Sequence, residues 1–145
     1  MDREGIRALL ELARDLGSAS LSHPIVLVST DGGAYGGLGA AHFAQSQRYA
    51  GRIAALVNLD SIGSAGSPRI QFSGDTPRVP SPTLLATTDL AIEEQAGVEP
   101  QRAGALAQLV DLAFPFSFFE QAPFVSRGVP AVTLTTSGSR PRPPS

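Results

Sequence analysis

The sequence predicts an α/β protein built around a mostly parallel sheet. Three observations carry that prediction. First, the run Pro24–Thr30 (PIVLVST) is too short for a buried helix, and it is β-branched and uncharged. Second, the run 53–59 (IAALVNL) repeats this pattern and ends at Asp60, and 129–135 (VPAVTLT) repeats it again. Third, stretches with apolar residues at helical spacing separate these runs, the alternation expected of βαβ units.

The elements follow in order. Residues 3–16 place Ile6, Leu9, Leu10, Leu12 and Ala13 at helical spacing, and Gly17 stops the pattern. Residues 24–30 read as a buried strand. The glycine-rich stretch Ser29–Phe43 (STDGGAYGGLGAAHF) then leads into a helix ending near Ser46. Residues 53–59 read as a second buried strand, and residues 69–73 (RIQFS) alternate like a third. A helix is expected over 82–96, with Pro82 suited to its first turn. Residues 103–113 are helical or irregular. Residues 123–127 make a single turn before Gly128, and 129–135 form the last strand. In sheets of this kind ligands bind beyond the carboxyl ends of the strands. The loops after Thr30, Leu59 and Leu134 are therefore the places to look for a site.

Composition narrows the function. The 145 residues suffice for one domain with a real core, and 42% hydrophobic and 17% charged residues is an ordinary globular balance. A net charge of −2 offers no basic field for nucleic acid and no polybasic patch for a membrane surface. All 11 basic residues are arginine. With no cysteine, disulfides, thiolate zinc sites and cysteine nucleophiles are excluded. No apolar run approaches the roughly 20 residues a membrane helix needs, and Met1 runs straight into a charged helix rather than a signal peptide. Either the chain is soluble and complete or it is a soluble piece of a longer one. The Pro/Arg-rich 139–145 reads as a tail or linker after a domain of residues 1–138, which favours the second.

Several chemistries can be weighed on motifs alone. The glycine loop lacks the G-x-G-x-x-G spacing of dinucleotide binding, and no G-K-[ST] is present for a P-loop. No G-x-S-x-G elbow exists; Ser61 and Ser64 have only His23 and His42 as partners, and both histidines read as ordinary surface or boundary residues. Asp60, at the end of an apolar strand, either ligates a cation, caps the next turn or is solvated, and capping is the ordinary reading.

Four segments in register add context. Asn58-Leu59-Asp60-Ser61-Ile62-Gly63 resembles the N-L-D-M-x-G segment of the co-catalytic zinc aminopeptidases, the family of secreted bacterial leucyl and related aminopeptidases. Gly5–Leu12 (GIRALLEL) looks like the family's S-G-x-A-A-L-L-E-L helix. Asp31–Phe43 looks like its D-G-E-E-x-G-L-L-G-S-x-x-F loop, and Phe119–Leu134 (FEQAPFVSRGVPAVTL) like its S-D-H-x-P-F-x-x-x-G-I-P-A-V-x-L segment.

This resemblance implies a three-layer α/β/α sandwich of zinc-peptidase type. It also implies two zinc ions held by two histidines and three carboxylates, with a glutamate as general base. Position by position, the family's E-E pair falls on Gly33 and Ala34, which can serve neither as base nor as ligand. The bridging aspartate falls on Met1, with Asp2 adjacent but on another side of the helix. The early histidine would precede the chain. No histidine follows Leu134, and Arg142 stands where the late one would fall. Asp60 alone remains of the metal set, and Glu120 stands at the family's S-D aspartate, outside the metal shell. The expected vestigial-site loop is thus Asp31, Gly32, Gly33 and Ala34, with Glu120 beside it.

Three functions follow as expectations. The first is an aminopeptidase-like pseudoenzyme that binds no zinc cofactor and serves in binding or scaffolding, with a peptide or protein as partner and neither nucleic acid nor membrane touched by this segment. Its expected setting is extracytoplasmic, as a domain of a membrane-anchored or exported protein. The second is an active metal-dependent hydrolase in which Asp31, Asp60 and Glu120 converge, completed by Asp75 or by flanking residues; three carboxylates within about 5 Å of one point would mark it. The third is a binding module whose cleft is lined by Tyr35, Phe114, Phe116, Phe118 and Phe119, although core packing is the ordinary use of such a cluster.

Overall fold

The computed structural model of the chain describes residues 3–30, 37–46, 48–49, 51–62, 67–72, 81–102, 104 and 120–136. Helix α1 (Arg3–Ser18) realises the first apolar stripe. It runs past Gly17, whose position is open to space on every side, and closes when the Ser18 hydroxyl donates to the Asp15 carbonyl at 2.8 Å. Helix α2 (Leu38–Gln45) starts from Gly37, held at a left-handed φ of 71°, and ends at Ser46. Helix α3 (Pro82–Ala96) begins on Pro82, whose ring presets the first turn, and ends at Gly97 with a left-handed φ of 64°. The short α4 (Ala122–Val125) is stopped by Gly128, also left-handed, whose N–H donates to the Val125 carbonyl.

Three strands form one sheet in the order β1-β3-β2: β1 (Leu56–Asp60), β2 (Arg69–Gln71) and β3 (Ala131–Thr135). β1 pairs with β3 in parallel, Leu56 against Ala131 through Asp60 against Thr135. β2 pairs with β3 antiparallel, Ile70 against Leu134. The described sheet is therefore mixed, whereas the sequence predicted a mostly parallel one. The short β2 is held on its other side by Gln101, whose carbonyl accepts from the Ile70 N–H at 3.2 Å. An ion pair between Arg102 and Asp89 ties this segment to α3.

The central strand is the most buried, with Ala131, Val132 and Thr133 wholly enclosed. The core gathers Ala40 of α2, Phe124 and Val125 of α4 and Ala131 of β3, with Phe43, Ala44, Ile53, Leu56 and Val129 packed against it. Close packing runs from β1 through β3 to β2, and from α2 through α4 to β3; α1 and α3 stand outside this group.

One predicted element is corrected. Residues 24–30 are not a buried strand: the segment carries no regular structure, and Ile25 and Val26 are each 52% exposed. Among the described residues no strand pairs with it, and its apolar side chains are left partly exposed. The strand predicted over 53–59 begins later, at Leu56, and that over 69–73 stops at Gln71. The reading of 103–113 falls outside the described residues apart from Gly104.

Candidate functional site

The carboxyl ends of β1 and β3 lie side by side and carry a polar face. Alternation along the strands puts Asn58 and Asp60 on one face of β1, and the register sets Thr133 and Thr135 opposite them on β3. Gln71 and Arg69 of β2 complete the same two rungs. A buried chain of hydrogen bonds fixes the first rung. Asn58 Nδ2 donates to Thr133 Oγ1 at 3.1 Å, and Thr133 Oγ1 donates to Gln121 Oε1 at 2.5 Å. Gln121 and Thr133 are fully enclosed, so each of these bonds stands in place of water that cannot reach them.

Asp60 ends β1 half-buried, and the backbone turns sharply after it. Ser61 takes a φ of 49°, a left-handed conformation that a non-glycine residue adopts at a cost. Two hydroxyls hold this turn: Ser61 Oγ donates to Asp60 Oδ1 at 3.3 Å, and Thr136 Oγ1 donates to the Ser61 carbonyl at 2.7 Å. The Asp60 carboxylate thus accepts from the neighbouring Ser61 hydroxyl.

Glu120 has other partners. Thr30 Oγ1 donates to its Oε2 at 3.0 Å. Glu120 also lies against Gly37, where an added Cβ would stand 3.4 Å from the Glu120 Cα. Thr30 and Gly37 are the residues on either side of 31–36, so both flanks of the glycine loop converge on Glu120. Asp31, Gly32, Gly33 and Ala34 themselves lie outside the described residues, as do Met1, Asp2, Tyr35, Asp75, Phe114, Phe116, Phe118, Phe119 and Arg142.

Asp60 and Glu120 accept from different donors, Ser61 and Thr30 respectively. Among the described residues no three or more His, Cys, Asp or Glu side chains come together as a metal would require. His23 is exposed and engaged with Ser22 at 3.0 Å, and His42 is exposed in the last turn of α2. Zinc needs three or four protein ligands, so the described donor set does not fit the two-zinc centre that the resemblance implies.

Sequence reasoning singled out Asp60 and Glu120 but missed the contacts around them: Thr30 on Glu120, Thr136 on the turn after Asp60, and the Asn58–Thr133–Gln121 chain on the neighbouring rung. The polar alternation of Asn58 with Asp60 and of Thr133 with Thr135 was a usable signal, since a strand packed on an apolar layer would carry apolar residues at those positions.

A mixed α/β domain with its polar, strand-end face flanked by a glycine loop is compatible with the α/β fold of peptidases. The chain belongs to peptidase family M28, whose family model matches residues 4–142. No curated protein and no solved structure matches it.

Proposed function

We propose that this M28 domain is a pseudoenzyme, without the family's two-zinc centre and general base, and that it acts by binding a peptide or protein or as a scaffold. The observation that carries the reading is Gly33-Ala34 at the position of the family's paired glutamates. Neither residue has a side-chain donor, and loss of the base alone removes about 10²–10⁴ in rate. The partners of Glu120 are consistent with the same reading, because the Thr30 hydroxyl donates to this carboxylate and Gly37 lies against it, a bracing role at the flanks of the loop. Asp60 alone cannot retain zinc at useful affinity.

The reading extends to the whole architecture. Residues 1–138 constitute the domain, a three-layer α/β/α sandwich of the zinc-peptidase type, and 139–145 are its tail. The setting is extracytoplasmic, in a membrane-anchored or exported protein. The family's largely exported character and the Pro/Arg-rich tail support this.

Bound metal tests the proposal. After incubation with zinc and desalting, elemental analysis is expected to find less than about a tenth of an equivalent per chain, as befits a single carboxylate. Retention of one or two equivalents, with release of amino acids from peptides, would establish an active hydrolase with replacement ligands instead.

A further inference from the structure

Between α1 and the glycine loop the chain is open to solvent. Every residue from Gly17 to Ser29 is exposed, and 20–30 form neither helix nor strand. Leu21, Ile25, Val26, Leu27 and Val28 all show large apolar side chains to solvent. Among the described residues no backbone hydrogen bond reaches 20–29. The nearest, from the Ala19 N–H to the Leu16 carbonyl, belongs to the end of α1. Within the segment Ser22 and His23 bond each other as neighbours at 3.0 Å. The far end is anchored where the Thr30 hydroxyl donates to Glu120.

A stretch of this kind is open to hydrolysis. An endopeptidase reads its substrate as an extended chain, through the backbone groups that a neighbouring strand would otherwise occupy. A strand inside a sheet denies those groups, whereas 20–29 offers them with no element to unfold first. Composition narrows the place. Residues 17–24 (GSASLSHP) are small or polar apart from Leu21 and end in Pro24, which has no N–H and a fixed φ. Ile25 to Val28 (IVLV) then supplies large apolar side chains in succession. With no charged residue from Leu16 to Thr30, the segment suits an enzyme that selects apolar side chains and not one that selects charge.

The neighbouring element gives a cut its consequence. α1 shares close packing with no other described element, and its Leu10 is 54% exposed. The core of α2, α4, β1 and β3 takes no residue from 3–30. A lone helix of 16 residues is marginal in water.

We infer that residues 25–28 are a proteolytic processing site, cut by an endopeptidase that accepts large apolar side chains, and that the cut frees α1 from the core. Water is added across one peptide bond, leaving a new carboxylate on the α1 piece and a new amine at the start of the core piece. The inference is independent of the zinc question, because 25–28 contains none of the positions where metal ligands would fall.

Thermolysin, which cuts on the amino side of large apolar residues, tests it on the unaltered chain. A synthetic peptide of residues 18–30 gives the reference rate for an uncovered segment. Mass spectrometry is expected to find cleavage before Val26, Leu27 or Val28, at a rate within about tenfold of that of the peptide. Gel filtration of the cut chain is expected to separate the α1 piece from the rest. A rate more than about tenfold below that of the peptide would overturn the inference, since it would mean that the segment is covered and must open before it is cut. Co-elution of the two pieces would overturn the release of α1.

Discussion

At the residue scale, Thr133 is the pivot of the strand-end face. Its hydroxyl accepts from Asn58 and donates to Gln121, which joins β1, β3 and the residue before α4 in one buried chain. Valine has nearly the same shape and neither function. Thr133→Val is therefore expected to lower stability by about 1–3 kcal/mol, because the buried Gln121 carbonyl oxygen loses a donor and the Asn58 amide an acceptor. Urea denaturation read by circular dichroism measures this, and a change under about 0.5 kcal/mol would show that the chain of bonds contributes little. Gly33 and Ala34 make the opposite kind of prediction. Restoring carboxylates with Gly33→Glu and Ala34→Glu is expected to yield no zinc-dependent aminopeptidase activity, since Met1 and Arg142 still occupy the remaining ligand positions implied by the family. Measurable release of an amino acid from a chromogenic peptide substrate would show that those two residues were the only barrier.

At the element scale, the segment 24–30 separates two accounts of this chain. Its composition is that of a buried strand, yet Ile25 and Val26 are half exposed and no described strand adds to them. Val26→Lys distinguishes the accounts by magnitude. On an exposed segment the substitution changes stability by less than about 0.5 kcal/mol, whereas a lysine forced into a buried strand costs several. The small value is expected, together with higher solubility, because an uncharged β-branched run open to solvent favours association between chains. Thermal unfolding and light scattering on the same variant read both quantities. The helices behave more locally. Proline in the first turn of α3 and glycine at its end bound it locally, since proline presets the helical φ and glycine takes the left-handed φ of 64° without a steric cost.

At the scale of the whole molecule, the two ends of the sheet are chemically unlike. The carboxyl end of β1 carries Asp60, with Glu120 at the glycine-loop flanks, while Ile53 and Val129, which lead into β1 and β3, line a groove with Phe43, Tyr49, Phe124 and Arg127. Retained zinc reports on the first end. No helix among the described residues is long and apolar enough to cross a membrane.

The sequence by itself determined the helices, the positions of β1, β2 and β3 within a few residues, and the family. These rest on local signals: apolar periodicity, proline and glycine at helix ends, and motif residues at fixed spacing. Tertiary structure alone decided the antiparallel placement of β2, the exposure of 24–30, the convergence of Thr30 and Gly37 on Glu120, and the groove behind α2 and α4. Each of these depends on contacts between residues far apart in the chain, such as Thr30 with Glu120 or Asn58 with Thr133. A strand's composition states that it can be buried, but only the presence of a neighbour to pair with determines that it is.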